Sequence, residues 1–221
     1  MIRFHISFTN GLSLKSELIF GIVLFILKLN QAVFDGGICF AHRENMGGYY
    51  CMKKMLIVYY SWSNGNTKRI AELLQEKTDA DIVRIDTVEP YKGSYKDVVN
   101  QGQKEVNSGY KPPIQKLDVC PDDYDVIAIG TPTWWYTMAP AVRTFIEENN
   151  FKGKTVIPFM TNGGWAGHVI KDMADASKGA KVCHEMEIKF SSDGGDTLET
   201  PKNVINKWIS EVAEFLTQER K

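Results

Sequence analysis

The stretch IVYYSWSNGNTKRIAELL, residues 57–74, joins an apolar run to an amphipathic pattern. The apolar run, residues 55–60, is typical of a parallel strand that is covered on both faces. Residues 61–67 follow it and carry hydroxyl and amide groups but no formal charge. Apolar residues then recur with helical spacing, which predicts a helix over residues 67–77. The stretch therefore predicts a strand, an uncharged polar loop and a helix in immediate succession.

The same alternation of strand and helix recurs along the rest of the chain. Further strands are predicted at residues 80–86, 124–130, 155–160 and 180–190, and further helices at residues 94–108, 139–148, 166–176 and 202–215. This pattern predicts an α/β fold with three layers, built on a doubly wound, five-stranded parallel sheet. Such sheets bind ligands outside the carboxyl ends of their strands, where the strand order reverses. We therefore look for a site in the loops after the first, third and fourth strands.

Composition limits the classes of function. The chain has 221 residues, 43% of them hydrophobic, and a net charge of −1, which is enough for one domain with a sizeable core and does not indicate a nucleic-acid partner. Its four cysteines lie far apart, with no CxxC pair and no histidine at metal-ligand spacing. We therefore expect no disulfide framework and no metal site, which fits a reducing, cytoplasmic compartment.

Residues 1–51 differ from the rest. They contain LIFGIVLFIL, residues 18–27, an apolar run too short to span a bilayer but long enough for the core of a signal peptide. Met52, by contrast, precedes two lysines and the first strand, which is how many cytoplasmic α/β domains begin. We expect residues 1–51 to be upstream sequence translated in frame and residues 52–221 to be the folded domain, with no membrane segment in that domain. A signal peptide or a membrane anchor is the alternative.

The loop after the first strand has the composition of an anion site. It precedes a helix, whose first N–H groups and dipole attract an anion. Its hydroxyls and amides add neutral donors, its glycine permits a tight turn, and it contains no Lys or Arg. A phosphate held only by neutral donors is bound permanently rather than transferred. The pattern matches neither the P-loop nor the GxGxxG fingerprint, and the alternative is an ordinary helix cap.

The other two loops favour a flat aromatic ligand. GTPTWWYTMAP, residues 130–140, places two adjacent indoles and a phenol at the end of the third strand, where at least one ring should face the cleft and stack. TNGGWAGH, residues 161–168, offers glycine backbone for close approach and Trp165 as a cover. The alternatives are that the indoles pack on the following helix and that the glycines form a flexible turn. A phosphate at one end and a planar ring system at the other describe FMN.

These motifs resemble the flavodoxin family over residues 52–221, and no part of residues 1–51 shares the resemblance. YYSWSNGNTKRIAE is similar to its phosphate loop, IGTPTWWYTMAPAVRTFIEE to its third-strand loop and helix, and PFMTNGGWAGH to the fourth-strand loop of a short-chain subgroup. The resemblance implies the strand order 2-1-3-4-5, noncovalently bound FMN and electron transfer in the cytoplasm. It implies no catalytic residue and no metal ligand.

The resemblance also implies which residues bind FMN. The phosphate would be held by Ser61, Ser63, Asn64, Gly65, Asn66 and Thr67. One side of the ring system would be lined by Thr131, Pro132, Thr133, Trp134, Trp135 and Tyr136. The other side and its pyrimidine edge would be lined by Asn162, Gly163, Gly164, Trp165 and Gly167.

Two departures from the family pattern leave a second function open. The family usually has a glycine, or a residue that tolerates positive φ, beside the flavin N5; here the turn reads Trp135-Tyr136-Thr137, where positive φ is strained. Residues 1–51 hold four of the 26 Lys and Arg and three of the 27 Asp and Glu, so residues 52–221 carry 22 against 24, a net charge of −2 rather than a strongly acidic rim. The alternative to an electron carrier with a redox partner protein is an NAD(P)H-dependent FMN or quinone reductase that acts on a small quinone or nicotinamide substrate. A receiver-like module is disfavoured because residues 57–63 contain no Asp or Glu.

Overall fold

A computed structural model describes residues 52–217, and the expectation for residues 1–51 lies outside this range. The strands are β1 (Met55–Tyr59), β2 (Asp81–Arg84), β3 (Val126–Trp134), β4 (Thr137–Met138), β5 (Thr155–Asn162), β6 (Lys181–Val182) and β7 (Met186–Lys189). The helices are α1 (Asn66–Thr78), α2 (Tyr95–Ser108), α3 (Pro140–Glu148), α4 (Val169–Ala176) and α5 (Lys202–Thr217), with a short 3₁₀ turn at Pro121–Asp123.

The predicted parallel sheet is confirmed, with one strand broken in two. Its order is β2-β1-β3-β5, and β6 and β7 both pair with the free edge of β5 in parallel. Together β6 and β7 occupy the place of the fifth strand predicted at residues 180–190, which gives the order 2-1-3-4-5. The interruption contains His184 at φ 53°, whose carbonyl accepts a hydrogen bond from the indole of Trp208 on α5 at 2.7 Å. A left-handed residue cannot continue a strand, so the pairing stops there and resumes at Met186.

Alternation along β1 divides the core into two layers. Met55, Ile57 and Tyr59 belong to the cluster that includes the apolar faces of α1 and α5. Leu56 and Val58 belong to the cluster on the other face, with α3 and α4. Because successive side chains of a strand point to opposite faces, a continuous apolar run buries both of them. The result is a sheet with helices on each side, as the sequence predicts.

The segment after the third strand is more regular than the sequence indicates. It is not an open loop from residue 131 onward, because β3 continues to Trp134 and pairs with the antiparallel β4. The pairs are Thr133 with Met138 and Trp134 with Thr137, which leaves a two-residue turn. This hairpin extends beyond the carboxyl edge of the parallel sheet and fixes the direction of the two indoles.

No helix among residues 52–217 has the length and apolar composition needed to cross a membrane.

We expect truncation of Ile127 to test how far stability depends on the sheet's core. Ile127 lies on β3 and is 0% exposed. Ile127→Ala should lower the free energy of unfolding by about 2–5 kcal/mol, because the cavity it leaves is enclosed by strands and helices. Urea unfolding followed by far-UV circular dichroism measures this change.

Val204, which is 44% exposed on α5, supplies the control. Val204→Ala should change the free energy of unfolding by no more than about 0.5 kcal/mol. Equal losses in the two variants would contradict the assigned packing.

Candidate functional site

A cleft of about 280 Å³ opens at the carboxyl ends of β1, β3 and β5. This volume is close to the lower end of the range of about 300–1,000 Å³ for small-molecule sites. The lining residues come from the β1–α1 loop, α2, the β3–β4 hairpin, the end of β5 and the segment after β7. They are Trp62, Ser63, Asn66, Thr67, Tyr95, Val98, Val99, Gly102, Pro132, Thr133, Trp134, Trp135, Thr161, Asn162, Gly163, Phe190, Ser191, Gly194 and Gly195. None of these residues is Lys or Arg.

The N-terminus of α1 forms one end of the cleft. The helix begins after Gly65, which has φ 75°, and among the described residues no side chain caps it. Asn66 and Thr67 of its first turn line the cleft, and the Thr67 hydroxyl is hydrogen-bonded to that of Thr161 at 2.8 Å. The N–H groups of a helix's first turn have no partner within the helix and carry a partial positive charge. This end of the cleft is therefore suited to an anion, as the sequence predicts.

Ser61 lies at the base of the same loop. The residue is 5% exposed, and its Oγ has no hydrogen-bond partner among residues 52–217. Its carbonyl accepts a hydrogen bond from the Arg84 guanidinium at 3.2 Å, so Arg84 supports the loop from behind and does not line the cleft. Leaving a buried hydroxyl without a hydrogen-bond partner costs about 1–3 kcal/mol.

A fourth loop, which is not among the three predicted from the sequence, covers the anion end. It comprises residues 190–197 after β7. The Asn64 amide donates to the carbonyl of Gly194 at 2.5 Å, and the Asn66 amide donates to that of Gly195 at 3.0 Å. The two asparagines therefore join the loops through their amide nitrogens. The signal available in the sequence was SSDGGD, a turn-rich segment that follows the fifth strand at the same edge of the sheet.

Both adjacent indoles line the cleft. The Trp134 ring contacts Tyr91 edge to face, with centroids 4.9 Å apart, and lies so close to α2 that a Cβ on Gly102 would be 2.8 Å from its Cε3. Trp135 donates its indole N–H to the carbonyl of Val99 at 2.9 Å and is 38% exposed. The hairpin and α2 thus hold the two rings, and the alternative that both pack away on the following helix does not hold.

The Trp134 ring is supported by a buried carboxylate behind it. Glu105 is 8% exposed and accepts hydrogen bonds from the Tyr91 hydroxyl at 2.5 Å and the Gln101 amide at 2.8 Å. Burial, together with the hydrogen bond to Glu105, raises the pKa of Tyr91 far above its ordinary value. Tyr91 therefore remains a neutral donor that satisfies Glu105 and keeps its ring against Trp134.

The hairpin turn adopts positive φ at both central residues, a conformation that is strained for residues with a Cβ. Trp135 has φ 49° and Tyr136 has φ 68°, although neither is glycine. Two-residue hairpins favour mirror-image turns with positive φ at both central positions, because only these match the twist of the strands. For residues with a Cβ this conformation costs about 1–2 kcal/mol each. Other contacts of the fold must offset that cost.

The third predicted loop reaches the cleft with its first three residues only, Thr161, Asn162 and Gly163. The Asn162 side chain accepts a hydrogen bond from the N–H of Gly164 at 2.6 Å and donates one to Glu187 at 3.1 Å. Trp165 is 61% exposed and does not line the cleft. The sequence predicts Trp165 as a cover for the ligand, and in the structure it lies outside the cleft wall.

The predicted residues fall into two groups. Those that line the cleft are Ser63, Asn66, Thr67, Pro132, Thr133, Trp134, Trp135, Asn162 and Gly163. Those that do not are Ser61, Asn64, Gly65, Thr131, Tyr136, Gly164, Trp165 and Gly167. Thr131, for example, is fully buried, and its Oγ1 accepts a hydrogen bond from the N–H of Ala139 at 3.0 Å. Within residues 52–217, no three His, Cys, Asp or Glu side chains are grouped as a metal site would require.

Comparison with known proteins identifies the family of the chain. The family model described as Flavodoxin matches residues 54–210. The chain belongs to the flavodoxin family. Membership confirms the resemblance carried by the three loops. None of the curated proteins is a significant match to the chain.

Solved structures similar to this flavodoxin-family chain include a protein assigned as a flavoprotein from Bacteroides eggerthii DSM 20697, with 28% identity and a TM-score of 0.59 over 73% of this chain and 98% of that one. A second, also assigned as a flavoprotein, from Bacteroides uniformis ATCC 8492, has 26% identity and a TM-score of 0.60 over 72% of this chain and 99% of that one. A flavoprotein from Lactobacillus acidophilus NCFM in complex with FMN has 23% identity and a TM-score of 0.54 over 71% and 98%. The third similarity shows the fold alone.

Tyr91 gives the stability a dependence on alkaline pH that can be measured. Its folded pKa lies above the unfolded value of about 10, so its contribution is complete below pH 10 and is lost as the pH rises above that value. Tyr91→Phe should lower the free energy of unfolding by about 1–3 kcal/mol at pH 7, because Glu105 loses a donor. The difference from the unmodified protein should shrink between pH 10 and 11, as measured by urea unfolding.

Tyr110, which is 50% exposed, supplies the matched control. Tyr110→Phe should change the free energy of unfolding by no more than about 0.5 kcal/mol at pH 7. A loss for Tyr91→Phe that stays constant from pH 7 to pH 11 would show that the hydroxyl's ionisation does not contribute.

Proposed function

We propose that this protein binds FMN noncovalently in the cleft and acts as a flavodoxin-type electron carrier. The observation that carries the proposal is the junction of an uncapped, uncharged helix N-terminus with a wall of two indoles in one cleft. Family membership supports FMN as the cofactor. The similar flavoprotein from Lactobacillus acidophilus NCFM, which was solved in complex with FMN, supports it further.

The phosphate of FMN would be held at the N-terminus of α1. The first-turn N–H groups, the Ser63 hydroxyl and the Thr67 hydroxyl are the donors that line this end. All are neutral, so they bind an anion through dipoles without a cation that could take part in phosphoryl transfer. Such a site suits a phosphate that stays bound as part of a resident cofactor.

The ring system would lie against the indoles of Trp134 and Trp135. A planar aromatic ligand gains about 0.5–1.5 kcal/mol per ring pair beyond its burial. The backbone of Gly163, Gly194 and Gly195 supplies a wall without Cβ atoms on the way to the phosphate end. In such proteins FMN supplies the redox chemistry when bound, while the chain provides binding, orientation and exclusion of water.

Exposed aromatic residues next to the cleft would receive the redox partner. Trp135 is 38% exposed and Tyr136 is 53% exposed, and both belong to the turn of the hairpin that forms the cleft wall. A partner protein that touches this turn comes close to the indole wall. We propose that this electron transfer takes place in the cytoplasm and that residues 52–221 are the FMN-binding domain.

The nearly balanced charge of residues 52–221 favours a second candidate, an NAD(P)H-dependent FMN or quinone reductase. Electrostatic steering of a protein partner needs a strong field, and a net charge of −2 supplies a weak one. A small quinone or nicotinamide substrate needs no such field. Fold alone does not separate the two candidates, because the same scaffold supports several activities.

Substitution of Ser63 tests whether the neutral loop holds the phosphate. Ser63 has φ 56°, a conformation that both Asp and Asn tolerate, so the two variants should fold alike. Ser63→Asp should weaken FMN binding at least tenfold by charge repulsion while leaving riboflavin binding within about twofold, since riboflavin has no phosphate. Titration of the purified apoprotein, followed by quenching of flavin fluorescence, measures both affinities.

Ser63→Asn is the matched neutral control and should bind FMN within about threefold of the unmodified protein, because it removes no charge complementarity. Equal weakening of FMN and riboflavin by Ser63→Asp would place the phosphate elsewhere. Absence of FMN binding by the unmodified protein would overturn the proposed function itself.

Steady-state oxidation of NAD(P)H separates the two candidate roles. As an electron carrier, the FMN-loaded protein should consume NADH and NADPH with a quinone acceptor at a rate no higher than free FMN at equal concentration, because it supplies no nicotinamide site. It should be reduced fully by dithionite and reoxidised by an added one-electron acceptor. Sustained turnover at many times the rate of free FMN would establish the reductase instead. Absorbance at the NAD(P)H and flavin bands reports both reactions.

A further inference from the structure

The hairpin turn, with positive φ at Trp135 and Tyr136, contacts the segment that leads into α4. The carbonyl of Tyr136 accepts a hydrogen bond from the backbone N–H of His168 at 2.8 Å. Gly167, at φ 63°, lies so close that a Cβ there would be 2.1 Å from the same oxygen. The turn and this segment therefore touch backbone to backbone, which only a glycine at position 167 permits.

A side-chain contact joins the same two segments one residue farther along. The Thr137 hydroxyl donates to Oδ2 of Asp172, and that oxygen also contacts Nδ1 of His168. Thr137 is the first residue of β4 and pairs with Trp134 across the hairpin. Asp172 thus ties the hairpin strand that follows the turn to the helix that lies below it. We call Gly167, His168 and Asp172 the turn brace.

On its other side the turn is fixed to α2 by the hydrogen bond from the Trp135 indole to Val99. Trp135 is the only one of the two turn residues that lines the cleft. Its ring position therefore depends on a backbone conformation that residues with a Cβ avoid. The hydrogen bond from His168 to Tyr136 and the contact of Thr137 with Asp172 favour that conformation.

We propose that Asp172 is a positioning residue. Through the Thr137 hydroxyl and the His168 imidazole it holds the Trp135–Tyr136 turn in its positive-φ conformation and so keeps the Trp135 indole in the wall of the FMN cleft. The contacts of the brace themselves do not depend on a ligand, whereas the consequence for FMN rests on the proposed function. If FMN binds only to molecules in which the turn is braced, the apparent affinity is the intrinsic affinity multiplied by the fraction of such molecules. Releasing the turn in part of the population therefore weakens the apparent affinity.

Asp172→Ala and Asp175→Ala form a matched pair for the test. Both residues lie on α4, both variants remove one carboxylate, and Asp175 pairs with Lys171 on the exposed side of the helix at 2.6 Å rather than with the hairpin. In the apoprotein, amide hydrogen exchange at His168 should be at least tenfold faster in Asp172→Ala than in Asp175→Ala, because the acceptor at Tyr136 is no longer held. Nuclear magnetic resonance of the labelled apoprotein measures this exchange.

With FMN, Asp172→Ala should bind about tenfold more weakly and Asp175→Ala within about twofold of the unmodified protein. Asp172→Asn retains an acceptor for Thr137 and should restore most of the affinity. Thr137→Val should also weaken binding, and the double variant should be no weaker than Asp172→Ala, since Asp172→Ala already removes the contact with Thr137. A residue that merely stabilises the fold would lower the unfolding midpoint without this pattern in the folded protein's affinity for FMN.

The outcomes separate cleanly. Unchanged His168 exchange in Asp172→Ala, or faster exchange with unchanged FMN affinity, would overturn the positioning role. Additive losses in the double variant would overturn it as well. If even the unmodified protein failed to bind FMN, the proposed function would fall, and the proposed role of Asp172 toward FMN would fall with it; the exchange measurement in the apoprotein would still decide whether the brace exists.

Discussion

The parallel register of β1 with β3 is the constraint on which the rest of the site depends. It pairs Tyr59 with Gly130, so the loop that precedes α1 and the hairpin that carries the indoles begin side by side. The next strand is held equally closely, because a Cβ on Gly130 would lie 2.3 Å from the ring of Phe159 on β5. Because residue 130 is a glycine, the Phe159 ring can pack directly against the β3 backbone and fill the core below the cleft. The ends of three strands are thereby brought to one edge of the sheet.

The aromatic wall shows how a buried polar group can support a binding surface. Glu105 lies within α2 and has no cationic partner among residues 52–217. Its two oxygens instead accept hydrogen bonds from Tyr91 and Gln101. A buried carboxylate is tolerated only when it is hydrogen-bonded in this way. Because the same Tyr91 ring packs against Trp134, the polar network also determines where the indole stands. Gly102 completes the arrangement by leaving room for the ring.

The cleft combines neutral donors at one end with a strained turn at the other. The anion end consists of helix N–H groups and hydroxyls, which are neutral donors of the kind that attract an anion. The ring end relies on a turn whose two residues adopt positive φ, offset by contacts with Gly167, His168 and Val99. Strain of this kind persists only where the surrounding structure determines the conformation, and it commonly marks functional sites.

The sequence by itself determined the layered fold and favoured a ligand with an anionic end and a planar ring system. Apolar runs separated by amphipathic segments are typical of a parallel sheet covered on both faces. An uncharged polar loop before a helix is suited to an anion. Tertiary structure alone decided which side chains form the cleft. The loop at residues 190–197, the Trp62 and Tyr95 pair with ring centroids 5.9 Å apart, and the exclusion of Trp165 and Tyr136 arise from contacts between segments distant in the chain. Local patterns encode burial and turn preference, whereas the direction of a side chain at the mouth of a cleft is set by the neighbours that it meets only after folding.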